Sequence, residues 1–296
     1  METFLYERDL APANLGGEGL EVEHLEELLT GPLRQSVRVP HIHKFYEVIW
    51  FCNAGGIHTV DFVDYPVEEN SVFFIAPGQV HHFDSTLHKG YTLLFSSDFL
   101  NTDHSERDTS LRYNVFNAYN EKPFIVLNAP TSILAFQNFF IKLETEVGRK
   151  NAFGHMEFLQ CMLRIGLLFL ERGAIEIHPE RLNPASTSQK IFRQFRLLIE
   201  QHYMQLHSVK DYAAQMNIST QYLNRSVSEC TAHSPLQLIT NRIILEAKRQ
   251  LRYSDLQVKE IAFNLGYEDP SYFVKQFKRE TGMLPGEFRS HKSEID

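Results

Sequence analysis

His41 and His43 stand two residues apart, and Glu47 follows in the same stretch, Pro40-His-Ile-His-Lys-Phe-Tyr-Glu47. On an extended strand, residues two apart face the same side, so these imidazoles would form a chelating pair. Imidazole with carboxylate suits Zn, Fe, Ni or Mn. The same groups can hold a small polar effector, or hydrogen-bond one another in a core. Different chemistry lies downstream. Thr220, Gln221, Asn224, Arg225 and Ser228 fall on one face of a helical stretch, and Ser271, Val274, Lys275 and Lys278 on one face of another. Arg225 and Lys275 suit guanine O6 and N7, while Gln221 and Asn224 suit adenine in a bidentate pair. Each can instead hold a phosphate, a role that fits Lys275 and Lys278 at least as well.

The elements around those faces repeat. Val209 to Val227 and Val258 to Lys278 each read as a short amphipathic helix, a tight turn and a second, capped helix. In the first unit Val209, Tyr212, Ala213 and Met216 share a face, Ser219 is the expected N-cap, and Tyr222, Leu223 and Val227 are expected to point inward. In the second, Ile261, Ala262 and Leu265 face inward, Gly266 supplies a positive φ for the turn, and Asp269-Pro270 is a strong helix start. Tyr272, Phe273 and Phe277 are expected inward. A long helix, Pro235 to Tyr253, separates the units. This is the helix-turn-helix plan, whose second helix enters the major groove of double-stranded DNA.

At 296 residues the chain is expected to form two domains. The net charge of −8 looks wrong for a DNA binder until the chain is divided: residues 189–296 carry 15 Lys and Arg against 12 Asp and Glu, and residues 1–188 carry 14 against 25. An acidic half joined to a mildly basic one fits a sensor fused to a DNA-binding module. The N-terminus lacks the pattern of a signal peptide, and the apolar run from Met162 to Leu170 is short and holds Arg164, so no membrane span is expected. Cys52, Cys161 and Cys230 lie far apart without CxxC spacing, which suits reduced thiols in the cytoplasm.

The stretch His178 to Ser188 has two prolines and no apolar period, and reads as a linker. Residues 1–178 then form one domain, 179–188 the linker and 189–296 the second domain. Upstream, Tyr46–Asn53, Ile57–Val63, Ser71–Ile75 and Tyr91–Phe95 alternate as antiparallel strands do. Ile133, Phe136, Phe140, Leu143 and Val147 form one helical stripe, which either packs on the barrel or serves in dimerisation, the favoured expectation. A second helix, about Phe153 to Leu170, is apolar nearly all round and expected to be buried on two sides.

Residues 190–289 resemble the DNA-binding domain of AraC/XylS-family transcriptional regulators. The match rests on Ala213, Ser219, Tyr222, Leu223, Arg225, Pro235, Arg242, Ala247, Leu251, Ile261, Ala262, Gly266, Tyr267, Ser271 to Phe273, Phe277, Lys278, Gly282, Pro285 and Arg289. Val227 and Ala232 depart from the usual Phe and Gly. The resemblance implies DNA binding, a homodimer and RNA polymerase as a partner.

Pro40 to Glu47, Gly55-Gly56 and Ala76-Pro-Gly-Gln-Val-His81-His82 resemble the two motifs of the cupin barrel, with Asn70 near a usual Gly. That resemblance implies that His41, His43, Glu47 and His81 converge inside the barrel. The fold expected is therefore α+β in two domains: a cupin-like antiparallel β-barrel with following helices, then an all-α double helix-turn-helix domain. His41, His43, Glu47, Trp50 and His81 are the expected effector contacts. Neither a catalytic residue nor a cofactor is expected. No resident metal is expected either; should one bind, the converging four would hold it. The competing readings are a metal-dependent cupin enzyme tethered to DNA, and a ligand-independent regulator whose barrel is a dimerisation platform.

Overall fold

The structure, a computed structural model, describes residues 6–8, 19–100, 113–116, 122–177, 187–231 and 233–290. The chain divides into two compact units between residues 180 and 181. The first unit opens with β1 (Tyr6–Arg8), β2 (Leu20–His24), α1 (Leu25–Thr30) and α2 (Arg34–Arg38). It continues through β3 (His41–His43), β4 (Tyr46–Phe51), β5 (Ile57–Val60), β6 (Val63–Pro66), β7 (Ser71–Ile75), β8 (His81–Phe83) and β9 (Gly90–Phe95). It ends with α3 (Ser97–Leu100), β10 (Phe124–Val126), α4 (Pro130–Val147) and α5 (His155–Ile177).

Two five-stranded sheets result, ordered β1-β3-β8-β5-β6 and β10-β7-β4-β9-β2. Every pairing is antiparallel except β1 with β3. The expected closed barrel is corrected here: among the described residues no strand ladder joins the sheets. They are held face to face by an apolar interior. Ile49, Phe51, Phe73 and Ile75 of one sheet meet Val60 and Phe83 of the other, with Leu25, Leu28, Leu29 and Val37 of α1 and α2 completing the cluster. The expected strand Ile57–Val63 is also two strands. Asp61 and Phe62 take positive φ of 47° and 70° and fold it into the β5–β6 hairpin, a turn chemistry for which Gly or Asn is the usual marker.

β4 and β7 are buried at every position, because their sheet is covered on both faces. The outer cover is α4 and α5. Phe136 and Phe140 of α4 sit 5.3 and 5.8 Å, ring centre to ring centre, from Trp50. The stripe Ile133–Val147 is thus spent on this sheet, which corrects the expectation that it dimerises the chain. α5 buries Leu159, Leu163, Leu167, Leu170 and Ala174 on one face only. Phe158, Cys161, Ile165 and Leu168 lie on the roughly opposite face and are exposed, so burial on two sides is corrected as well.

The second unit is helical: α6 (Thr187–His202), α7 (Val209–Gln215), α8 (Thr220–Ser228), α9 (Pro235–Tyr253), α10 (Val258–Asn264), α11 (Pro270–Thr281) and α12 (Pro285–Ser290). Thr187 and Ser188, expected in the linker, form the start of α6; residues 178–186 and Ala232 lie outside the described residues. Arg242 of α9 fixes α6. Its Nε donates to Glu200 Oε2 at 2.7 Å, Nη1 donates to Glu246 Oε2 at 3.2 Å, and the guanidinium lies 3.9 Å over the Tyr203 ring. Val227, where the family usually has Phe, is fully buried.

Candidate functional site

The candidate DNA-reading faces are built from the turns outward. Gly266 takes φ +80° between α10 and α11, and a Cβ there would stand 2.0 Å from the Met204 carbonyl oxygen. The first helix-turn-helix reaches the same region of backbone space with Asn217, at φ 54°. Ser219 Oγ accepts the Tyr222 N–H at 3.1 Å, and Asp269 Oδ1 accepts the Ser271 N–H at 2.8 Å, so both recognition helices start at capped ends. Leu223 with Val227, and Phe273 with Phe277, bury the inner faces of α8 and α11. Thr220, Gln221, Asn224, Arg225 and Ser228 of α8 are exposed, as are Ser271, Lys275 and Lys278 of α11, while Val274 is half-buried.

A second constellation lies inside the first unit. Alternation along β3 turns His41 and His43 inward. His81 on β8 is the cross-strand partner of His41, their rings 4.2 Å apart. Lys44 and Phe45 carry the chain from one sheet to the other, so Glu47 on β4 faces back across the interior. Its Oε2 lies 3.0 Å from His43 Nε2 and 3.5 Å from His81 Nε2, and its Oε1 accepts the Thr92 hydroxyl at 2.6 Å. His43, Glu47 and His81 thereby offer three ligand atoms within 4.8 Å of one another. His41, His43, His58, His81 and Glu47 are all buried.

Hydrogen bonding to the main chain orients these rings. His41 Nδ1 lies 3.0 Å from Val39 O, and His43 Nδ1 lies 2.8 Å from Phe45 O. A carbonyl oxygen only accepts, so both Nδ1 atoms carry hydrogen and both Nε2 atoms are left to the interior. For His43 that interior neighbour is a carboxylate oxygen, so the contact requires a shared proton or another cation. Burial, with His41 and His43 nearby, holds His81 well below the ordinary histidine value; burial takes His58 down to about 3. Both rings are neutral at neutral pH, the form that binds metals and accepts hydrogen bonds.

A family model described as a helix-turn-helix domain matches residues 212–291. The chain is 24% identical over 258 residues to the uncharacterized HTH-type transcriptional regulator YfiF of Bacillus subtilis (strain 168), covering 84% of this chain and 78% of that protein. It is 22% identical over 263 residues to the HTH-type transcriptional activator RhaS of Klebsiella pneumoniae (strain 342), covering 89% of this chain and 91% of RhaS. Residues 212–291 thus carry a helix-turn-helix domain, and over most of its length the chain is similar to HTH-type transcriptional regulators. A solved structure of wild-type ToxT from Vibrio cholerae, bound to an unsaturated fatty acid, aligns over 91% of this chain and 94% of its own at 15% identity and a TM-score of 0.39.

The protein is a DNA-binding transcriptional regulator. Among its described residues, no helix is long and apolar enough to cross a membrane. Several expected positions need correction. Trp50 is not in the histidine cluster: odd and even positions of β4 face opposite ways, so Glu47 looks into the sandwich while Trp50 stacks on α4. Tyr222 and Tyr272, expected inward, are 40% and 59% exposed, because each precedes the buried Leu223 or Phe273 by one residue and so lies about 100° round its helix. His58 and Thr92 were missed; strand parity, which puts His58 on the face of Val60 and Thr92 on the face opposite Tyr91, would have pointed to them. Arg242 and Arg289, among the family-matching residues, serve the framework, Arg289 donating to the carbonyls of Leu251 in the last turn of α9 and of Leu256 just after it.

Proposed function

We propose that this regulator is controlled by a small-molecule effector that docks on the buried cluster of His41, His43, Glu47 and His81, and so alters how α8 and α11 meet DNA. One observation carries the reading. A carboxylate and several imidazoles sit buried among apolar side chains, with both nitrogens of His81 lacking a well-formed hydrogen bond. Such groups cost stability unless paired, and here they are gathered at one point on a chain that also reads DNA. Their inward-facing acceptors select an effector rich in hydrogen-bond donors or positive charge. A ligand can act only if its affinity differs between two states of the protein. Thermal-shift screening of the full chain against sugars and amines, with aromatic acids and fatty acids as anionic contrasts, tests the reading. A compound that raises the melting temperature of wild type, but not of His43→Asn or Glu47→Gln, is expected; stabilisation equal in all three overturns the cluster as the docking point.

A second reading is favoured by the donated Nδ1 hydrogens of His41 and His43. Rings fixed through Nδ1 with Nε2 turned to a carboxylate match the way proteins orient imidazole ligands of transition metals. His43, Glu47 and His81 would hold the ion, with His41 beside them, and the ion would supply a fixed positive charge between the sheets. Elemental analysis of purified protein separates the readings: stoichiometric metal lost in His43→Ala favours the ion, and metal-free wild type removes it.

The same reading makes the protein a homodimer that binds rather than catalyses, working in the cytoplasm and engaging RNA polymerase at promoters. Support for the dimer comes from α5, whose exposed Phe158, Ile165 and Leu168 run opposite its buried face. Pairing with a second copy would cover that face, and four recognition helices would then address repeated or inverted half-sites. For base reading the proposed residues are Thr220, Gln221, Asn224, Arg225 and Ser228 in the first helix-turn-helix, and Ser271, Val274, Lys275 and Lys278 in the second.

A further inference from the structure

We infer that Tyr222 and Tyr272 are a matched pair of specificity residues, each packing its ring on the 5-methyl group of a thymine in the major groove. Each is the third residue after the N-cap of its recognition helix, Ser219 in α8 and Asp269 in α11. Each is exposed, at 40% and 59%, although a large aromatic ring in water forgoes its burial. Neither hydroxyl makes a hydrogen bond among the described residues. The residues that reach base edges are those at the N-terminal end of a recognition helix, where both tyrosines sit. Three residues on, along the same helix surface, stand Arg225 and Lys275.

The aromatic-then-cation spacing is therefore written twice, once per unit. The thymine methyl is the apolar feature of the major-groove edge, while guanine O6 and N7 take a cationic donor. A ring beside a cation thus reads a thymine neighbouring a guanine, once in each half of the site. This inference rests on DNA reading by α8 and α11.

The test uses the full chain and duplexes carrying its preferred site, obtained by selection from random DNA. Each thymine is replaced singly by deoxyuridine, which removes only the methyl group. One thymine in each half-site is expected to weaken wild-type binding about threefold to fivefold when so replaced, the worth of one buried methyl. That loss persists in Tyr222→Phe and Tyr272→Phe and vanishes at the matching position in Tyr222→Ala or Tyr272→Ala. The inference is overturned if no deoxyuridine weakens wild type, or if the loss survives the alanine changes. It is also overturned if the phenylalanine variants bind as poorly as the alanine ones, which would make the hydroxyls phosphate contacts. Failure to select any preferred sequence would instead strike at DNA reading by the two helices.

Discussion

Arg225 Nε donates to Glu229 Oε1 at 3.0 Å, one turn along α8. Glu229 Oε2 in turn accepts the Ser188 hydroxyl at 2.5 Å, so the arginine proposed to read DNA is steadied from the first turn of α6. Arginine carries five N–H donors, and a bond at Nε leaves both terminal nitrogens for O6 and N7 of a guanine.

Replacing Arg225 with alanine should abolish discrimination at one base position, at a cost of about 1–3 kcal/mol in binding. Because the side chain is exposed, the fold should be unaffected. A complete single-base scan of the preferred site, compared between wild type and Arg225→Ala, reads this directly. An unchanged profile would remove Arg225 from the reading face.

Acid should destabilise the N-terminal unit. His58, with a value of about 3, and His81, held well below the ordinary one, stay neutral in the fold. In the unfolded chain both titrate near 6.5. Above that pH neither state takes up a proton; below it the unfolded chain binds protons that the fold refuses. Stability therefore falls as pH drops, by about 1.4 kcal/mol per pH unit for each ring. Urea midpoints at pH 7.5 and 5.5 should differ accordingly, and His58→Phe should flatten the dependence. A midpoint unmoved by acid would contradict the neutral assignment.

Gly266→Ala should cost the C-terminal unit at least about 1–3 kcal/mol from backbone strain at φ +80°, before the clash with the Met204 carbonyl is counted. Asn217→Gly, at the equivalent turn, should be near neutral, since it relieves the same kind of strain while loosening the unfolded chain. Equilibrium denaturation of both variants checks the contrast; equal effects would mean that the two turns are not equivalent.

Ile165→Asp places a charge on the exposed face of α5 and should turn a dimer into a monomer at micromolar concentration, with the circular dichroism spectrum unchanged. Sedimentation velocity shows it. A wild type already monomeric, with and without operator DNA, would remove the α5 pairing.

How far the sequence could be read depended on whether a residue's own chemistry dictated its surroundings. Gly266, Asp269-Pro270 and the His41–His43 spacing each demand one backbone state, and the structure has them there. Trp50 was misplaced although strand parity was available: its size suggested a pocket wall, whereas parity alone puts it on the face away from Glu47. The Asp61-Phe62 turn was hidden because neither residue advertises positive φ as Gly does. α5 was misjudged because an apolar residue in the sequence looks the same whether it meets its own chain or stands exposed as a possible surface for a second copy. The open sandwich escaped notice for a related reason: strand alternation reports which face is buried, not whether the last strands pair.

Coupling between the buried cluster and DNA is the centre of this account, and linkage makes it measurable from both ends. Once a stabilising compound is in hand, its dissociation constant should be determined for the full chain with and without saturating operator duplex, alongside the operator constant with and without the compound. The account predicts the same factor from both directions, differing from one, and its loss in Glu47→Gln. A compound that binds the cluster while that factor stays at one would contradict it.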